Sequence, residues 1–125
     1  YFIIQKEVAE KYTSKEPDNN LLAVQTSIYA STKKLFDISP NSFNPKPKVN
    51  SSFISFTPKD GISENLKNEK FLNFLQNSFR QPRKTVRNNL HDITFKNESI
   101  VEELLNKRPQ HLSLDDYSLL FSKVI

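Results

Sequence analysis

The chain is 125 residues long, with 36% hydrophobic residues, ten phenylalanines and a formal net charge of +4, enough for one domain or a small domain with part of another. It has no cysteine, which excludes a disulfide framework and thiolate metal sites, and its two histidines, His91 and His111, cannot build a zinc site by themselves. No window approaches the roughly 20 apolar residues of a membrane span, and no N-terminal stretch has the order of a signal peptide, so the expected location is cytoplasmic, with neither membrane nor metal as a partner.

Phe2-Ile-Ile-Gln5 reads as a short buried strand, and a helix follows over Lys6 to Tyr12. The chain opens at Tyr1 inside this apolar run and holds no methionine, so it reads as the C-terminal part of a longer protein. A polar stretch from Thr13 to Asn19 is rich in turn formers. Leu21, Leu22, Val24 and Ile28 then have helical spacing, which predicts a second helix from about Asn20 to Ala30. Leu35-Phe-Asp-Ile38 is a brief strand.

Next comes Phe43-Asn-Pro-Lys-Pro-Lys-Val-Asn50, which joins rigidity, an aromatic ring and positive charge. Pro45 and Pro47 fix their own φ and push Asn44 and Lys46 out of the helical region, so the spacing predicts a stiff turn of polyproline II type. Phe43 stands at its entrance, and Lys46 and Lys48 project from it. The segment suits a base and its phosphates; it also suits an ordinary connection with solvated lysines. Ser51 to Thr57 is apolar and β-prone and follows as a strand. Strand, helix, helix, strand, loop, strand fits the last part of an α/β sheet. Three strands without central neighbours should expose an unpaired edge and apolar surface, leading to pairing between copies or marking a nicked product.

Two regions meet near Pro58-Lys-Asp-Gly-Ile62, giving one unit over residues 1–60 and another over 61–125. Gly61 is the one glycine of the chain. A loop that cradles a nucleotide or adenosyl cofactor needs several, so this chain is not expected to carry the main site of any such cofactor.

The second region has no convincing strand. Leu66, Phe71, Leu72, Phe74, Leu75 and Phe79 form a wide apolar stripe at helical spacing, interrupted by Pro82. Val86 and Leu90 continue a basic helix from about Arg83. Ile100, Val101, Leu104 and Leu105 mark a third helix, ended by Arg108-Pro109. Ser113 is placed to cap the last helix, with Asp115 and Asp116 in its first turn, and its inward face would be Leu114, Tyr117, Leu120, Phe121 and Val124. Four short helices around an aromatic core make a small all-α domain.

Charge is uneven. From Arg80 to His91 there are four cations, Arg80, Arg83, Lys84 and Arg87, and no acid until Asp92. On a helix, Arg80, Lys84 and Arg87 share one face if the kink at Pro82 is mild. Four phosphate contacts would give binding a log–log salt slope of about −3 to −4; a solvated basic face is the other reading. Part of Arg83 or Arg87 could pair with Asp92 or a sheet-side carboxylate, and Thr85 and Asn88 could be structural.

At these segments the chain resembles a known family. Phe43-Asn-Pro-Lys-Pro-Lys-Val-Asn-Ser51, preceded by Ile3-Ile-Gln-Lys-Glu-Val-Ala9, is similar to the adenine-N6 ribosomal RNA dimethyltransferases. Arg83-Lys-Thr-Val-Arg-Asn88 and Leu112-Ser-Leu-Asp-Asp-Tyr117 resemble the small-subunit branch, the dimethyladenosine transferases whose loss gives resistance to the antibiotic kasugamycin. The likeness runs in order from about Phe2 to Phe121.

The resemblance implies the C-terminal portion of a class I (Rossmann-like) methyltransferase sheet, α/β in class, followed by a small all-α domain that binds rRNA. The strand Ser51 to Thr57 would run antiparallel and insert between the strands at Phe2 and Leu35. Such enzymes transfer methyl groups from S-adenosylmethionine to N6 of two adjacent adenosines near the 3′ end of small-subunit rRNA in ribosome biogenesis. Their Gly-rich cofactor loop and Asn-Leu-Pro-Tyr-like catalytic motif are absent from this chain, so the parent is expected to be the enzyme and this piece inactive. Phe43 would stack on the extruded adenine, or pack under its own loop. Lys46 and Lys48 would hold neighbouring phosphates, and Arg80, Arg83, Lys84 and Arg87 would dock RNA of the pre-30S particle. Asn50 departs from the Asp expected in many small-subunit enzymes, and Pro45-Lys-Pro-Lys-Val-Asn-Ser51 also resembles the macrolide-resistance methyltransferases of large-subunit rRNA, while the Arg83–Asn88 segment favours the small-subunit branch. A non-catalytic rRNA-binding or assembly module is a further alternative.

Overall fold

The computed structural model describes residues 1–42, 44–45, 48–60 and 67–125. The first unit opens with strand β1 (Phe2–Gln5), helix α1 (Lys6–Thr13), helix α2 (Leu21–Tyr29) and strand β2 (Ala30–Ile38), and closes with β3 (Ser51–Pro58). The three strands form one sheet in the order β1-β3-β2, with both pairings antiparallel. The last strand in sequence therefore lies in the middle, between the two earlier ones, as the resemblance implied.

Strand β2 is longer than Leu35–Ile38. It begins at Ala30, because Ser31, Thr32, Lys33 and Lys34 alternate between exposed and half-buried on an edge strand. A polar edge carries no hydrophobic alternation to read. β1 is not buried either. Phe2 and Ile3 are 57% and 54% exposed, because β1 pairs with β3 on one side and with no strand among the described residues on the other. Pairing partners share a sheet face, so Ile3, Phe53 and Phe36 stand on the side opposite the helices. Tyr1 stacks on Phe53 at 5.3 Å, and Phe36 meets the same ring at 5.1 Å. This is the exposed apolar surface that a three-stranded sheet was expected to show. The opposite face is covered by α1 and α2, with Ala9, Ile28 and Ile54 buried and Tyr12 edge-on to Phe56.

The second unit is helical: α3 (Glu69–Ser78), α4 (Val86–Asn89), α5 (Glu98–Leu105) and α6 (Leu114–Ser122), with a 3-10 turn at Pro109–His111. Their starts are chemically marked. Asn68 accepts from the Lys70 N–H ahead of α3, and Thr85 caps α4. Ser113 and Asp116 form a reciprocal capping box on α6, an arrangement that stabilises a helix by about 1 kcal/mol. Asn97, before α5, has φ of 48°, a left-handed conformation that Asn tolerates better than most residues.

The core is aromatic and aliphatic. Phe71, Phe74, Leu75, Val86, Val101, Leu105, Leu112, Tyr117 and Leu120 are buried together, each large one contributing about 1.5–3 kcal/mol by leaving water. Phe121 is edge-on to both Phe71 and Phe74, and the Tyr117 hydroxyl donates to the Pro109 carbonyl at 2.7 Å. Val24 and Ile28 of α2 belong to the same cluster, so α2 serves the sheet on one side and the helices on the other. Asn19 adds a polar tie, its amide nitrogen donating to the Leu112 carbonyl at 2.9 Å.

Candidate nucleic-acid interface

The segment joining β2 to β3 leaves the sheet at Ile38, which pairs with Ser51 across the strands. Its start folds into a 3-10 turn over Pro40–Ser42, the Asn44–Pro45 peptide is cis, and Lys48 and Asn50 are exposed. Phe43 and Lys46 lie outside the described residues. Lys48 lines an open groove of about 520 Å³ together with Gln5, Lys6, Glu7, Glu10 and Asn50. Beside it, the Lys6 N–H donates to the Asn50 carbonyl at 2.9 Å, tying the start of α1 to the start of β3.

Lys6 also joins this groove to a polar cluster that spacing did not reveal. The Ser52 hydroxyl, fully buried, donates to Asp37 Oδ1 at 2.7 Å. Lys34 Nζ and Lys6 Nζ lie 3.4 Å and 3.5 Å from the same carboxylate. The Ser52 hydrogen bond first, then Lys34 and Lys6, hold the Asp37 carboxyl below its ordinary range.

The basic segment is built differently from the sequence expectation. The helix expected from about Arg83 begins only at Val86, and Arg80 and Lys84 lie outside any helix, so the common face expected for a mild kink at Pro82 does not form. α3 stops at Ser78, the chain turns through Pro82, and Thr85 is extended, so only Val86–Asn89 is helical. Pro82 and the capping preference of Thr85 break the run. Asn89 closes the turn: it accepts from the Gln81 N–H at 2.8 Å and donates to the Gln81 and Thr85 carbonyls at 2.9 and 3.0 Å. Thr85 and Asn89 are therefore structural, and Asn89 had no periodic signal to mark it.

The four cations fall into two groups. Arg87 pairs with Glu98 and donates from Nε to Asn106 Oδ1 at 3.2 Å, so it braces α4 against α5 rather than reaching Asp92 or the sheet. Arg80 donates to Asn77 Oδ1 at 2.6 Å. Arg83 and Lys84 are exposed on the stapled turn, and among the described residues neither side chain has an ion pair or hydrogen bond. No hydrogen bond or ion pair among the described residues joins this turn to the β2–β3 segment. A second cleft, of about 300 Å³, opens where α1, α2 and the start of α6 meet, lined by hydroxyls such as Thr13, Ser27, Thr32 and Ser113 with Lys15 and Lys59 at its walls. Among the described residues no cluster of His and carboxylates could hold a metal ion, and no helix is long and apolar enough to cross a membrane.

This fold, a sheet with its last strand in the middle followed by a helical unit, is shared with two solved structures. A dimethyladenosine transferase from Plasmodium falciparum superimposes with a TM-score of 0.73 at 21% identity, over 94% of this chain and 54% of that one. The 23S rRNA methyltransferase ErmE does so with a TM-score of 0.73 at 17% identity, over 96% and 52%. The family model described as ribosomal RNA adenine dimethylase matches residues 1–120, and the chain belongs to that family. Proteins named ribosomal RNA small subunit methyltransferase A are 36% identical in Mycoplasma mobile over 126 residues, 95% of this chain and 49% of that protein. The one from Mesoplasma florum is 37% identical over 131 residues, 98% and 49%. The chain spans about half the length of the curated relatives it matches.

Proposed function

We propose that this chain is the RNA-engaging portion of an S-adenosylmethionine-dependent rRNA methyltransferase, one that dimethylates N6 of two adjacent adenosines near the 3′ end of small-subunit rRNA. The observation that carries the reading is the family match over residues 1–120, together with relatives named for the small-subunit enzyme. Residues 1–60 complete the methyltransferase unit in this reading, and residues 61–125 form the rRNA-binding unit.

An adenine amine is a weak nucleophile, since its lone pair is delocalised into the ring, so the protein's task is to place it in line with the methyl donor. The base must first leave its stack. Phe43 stacks on it, a contact worth about 1–3 kcal/mol, while Lys46 and Lys48 hold adjacent phosphates. Arg83 and Lys84 dock the RNA backbone from the helical unit, with Arg80 beside them and Arg87 in support. A protein of this kind works where ribosomes are assembled, in the cytoplasm, on the pre-30S particle.

The methyl donor itself finds no place among the described residues. Both larger recesses are lined by lysines, carboxylates, amides and hydroxyls, and neither has the glycine turn that close approach of an adenosyl group requires. Its site belongs to the rest of the protein in this reading. Gel-shift titration of the chain against 3′-end small-subunit and large-subunit rRNA fragments tests the assignment. Preference for the small-subunit fragment is expected, preference for the large-subunit one would move the protein to the macrolide-resistance branch, and binding to neither would sink the reading.

A further inference from the structure

Strand β2 carries a bulge. Lys34 pairs with Ile54, but Phe36 pairs with Phe53, so Leu35 is an extra residue on one side of the ladder. Side chains alternate faces along a strand, and one inserted residue reverses that alternation beyond it. Without the bulge Asp37 would stand on the sheet face that carries Phe53, away from the helices. With it, Asp37 faces Ser52 on the helix side, the face of Lys34, within reach of Lys6 on α1. The bulge thus aims one carboxylate at three partners from three elements.

Asp37 and Ser52 flank the β2–β3 segment, one residue outside its closing pair Ile38 and Ser51. Lys6, the third partner, holds the Asn50 carbonyl through its own N–H and lines the groove that also contains Lys48. Both feet of the segment are therefore pinned to one carboxylate and to the start of α1. Bulges of this kind are common beside functional sites, where they re-aim a side chain.

We propose that Asp37 is a positioning residue for RNA recognition, its carboxylate and the Ser52 hydroxyl forming a clamp that fixes the two feet of the β2–β3 segment, Ile38 and Asn50–Ser51, against α1. The inference rests on the functional reading above. It has an unusual sign. Asp37 is an anion that neutralises Lys6 and Lys34, so a purely electrostatic role would make its removal strengthen RNA binding. A positioning role makes removal weaken it, because the contacts that Lys6, Lys48 and Asn50 offer along one groove lose their common frame.

The test uses the chain with a fluorescently labelled RNA hairpin of the small-subunit rRNA 3′ end, comparing wild type, Asp37→Ala and Ser52→Ala by anisotropy, thermal melting and amide hydrogen exchange. The expected result is about tenfold weaker binding for both variants, with both still folded at the assay temperature and the Lys6 amide exchanging about tenfold faster while α6 amides do not. Ser52→Ala leaves every charge in place and separates the clamp from electrostatics. Equal or tighter binding by both variants overturns the proposal, and unaltered Lys6 exchange overturns the clamp whatever the RNA does. Failure of the wild-type chain to bind the hairpin overturns the functional reading instead, and this proposal with it.

Discussion

Arg83 and Lys84 should behave differently from Arg87 when removed, although all three lie within five residues. The first two are exposed and unpaired among the described residues, on a turn held by Asn89. Arg87 is engaged with Glu98 and Asn106, the pair being 40% and 50% exposed. Each cation that releases a counterion from the nucleic acid contributes about 0.7–0.9 to the log–log salt slope. Arg83→Gln with Lys84→Gln should therefore flatten the slope by about 1.4–1.8 and leave stability within about 0.5 kcal/mol of wild type. Arg87→Gln should leave the slope nearly unchanged and cost about 0.2–1 kcal/mol of stability, a few degrees or less in Tm. The assay is anisotropy against the 3′-end hairpin at several KCl concentrations, with melting curves alongside. Equal flattening by Arg87→Gln without loss of stability would refute the division of labour.

Four further outcomes are expected. Tyr117→Phe should lose about 1 kcal/mol in urea unfolding, because the hydroxyl bonded to the Pro109 carbonyl is gone while Leu112 still donates to it. Burial first, then the charge of Asp116, raises the Tyr117 phenol well above its ordinary value; its contribution is complete below the unfolded value of about 10 and is lost as pH rises past it, a loss that Tyr117→Phe should not show. Asp37 has the opposite sign: its carboxyl is lowered, so its contribution is present above the unfolded value of about 3.9 and fades as pH falls through the folded one, and Ser52→Ala should make acid melting less steep. Ser113→Ala removes one half of the capping box and should lower stability by about 1 kcal/mol in the same urea assay. Ile3→Lys should reduce self-association measured by sedimentation, because Ile3 lies on the exposed face with Tyr1 and Phe36; unchanged sedimentation would mean that this face does not associate.

The helical half was the more legible. Phe71, Phe74, Leu75, Tyr117 and Leu120 repeat at helical spacing, and Ser113 with Asp116 signals a helix start in four letters, so both pattern and cap survive into the structure. The short helix α4 was legible only in part: Pro82 marked an interruption, but the run of cations after it hid the cap at Thr85 that delays the helix to Val86. Arg87 looked like its neighbours, since its partner Glu98 lies eleven residues away and across a helix contact. In the sheet, the order β1-β3-β2 came from resemblance and not from spacing, which says nothing about which strands are neighbours. The bulge at Leu35 was invisible: alternation assigns Asp37 to the wrong face, and only the paired strand reveals the shift.

The activity proposed for the protein that carries this chain, modification of small-subunit rRNA, can be tested directly. Small ribosomal subunits lacking dimethyladenosine would be incubated with the full-length protein and S-adenosylmethionine, and nuclease fragments of the rRNA 3′ end weighed by mass spectrometry. Four added methyl groups on two adjacent adenosines are expected, with strong reduction by Arg83→Gln and Lys84→Gln together. Methylation confined to large-subunit rRNA, or none on either subunit, would contradict it.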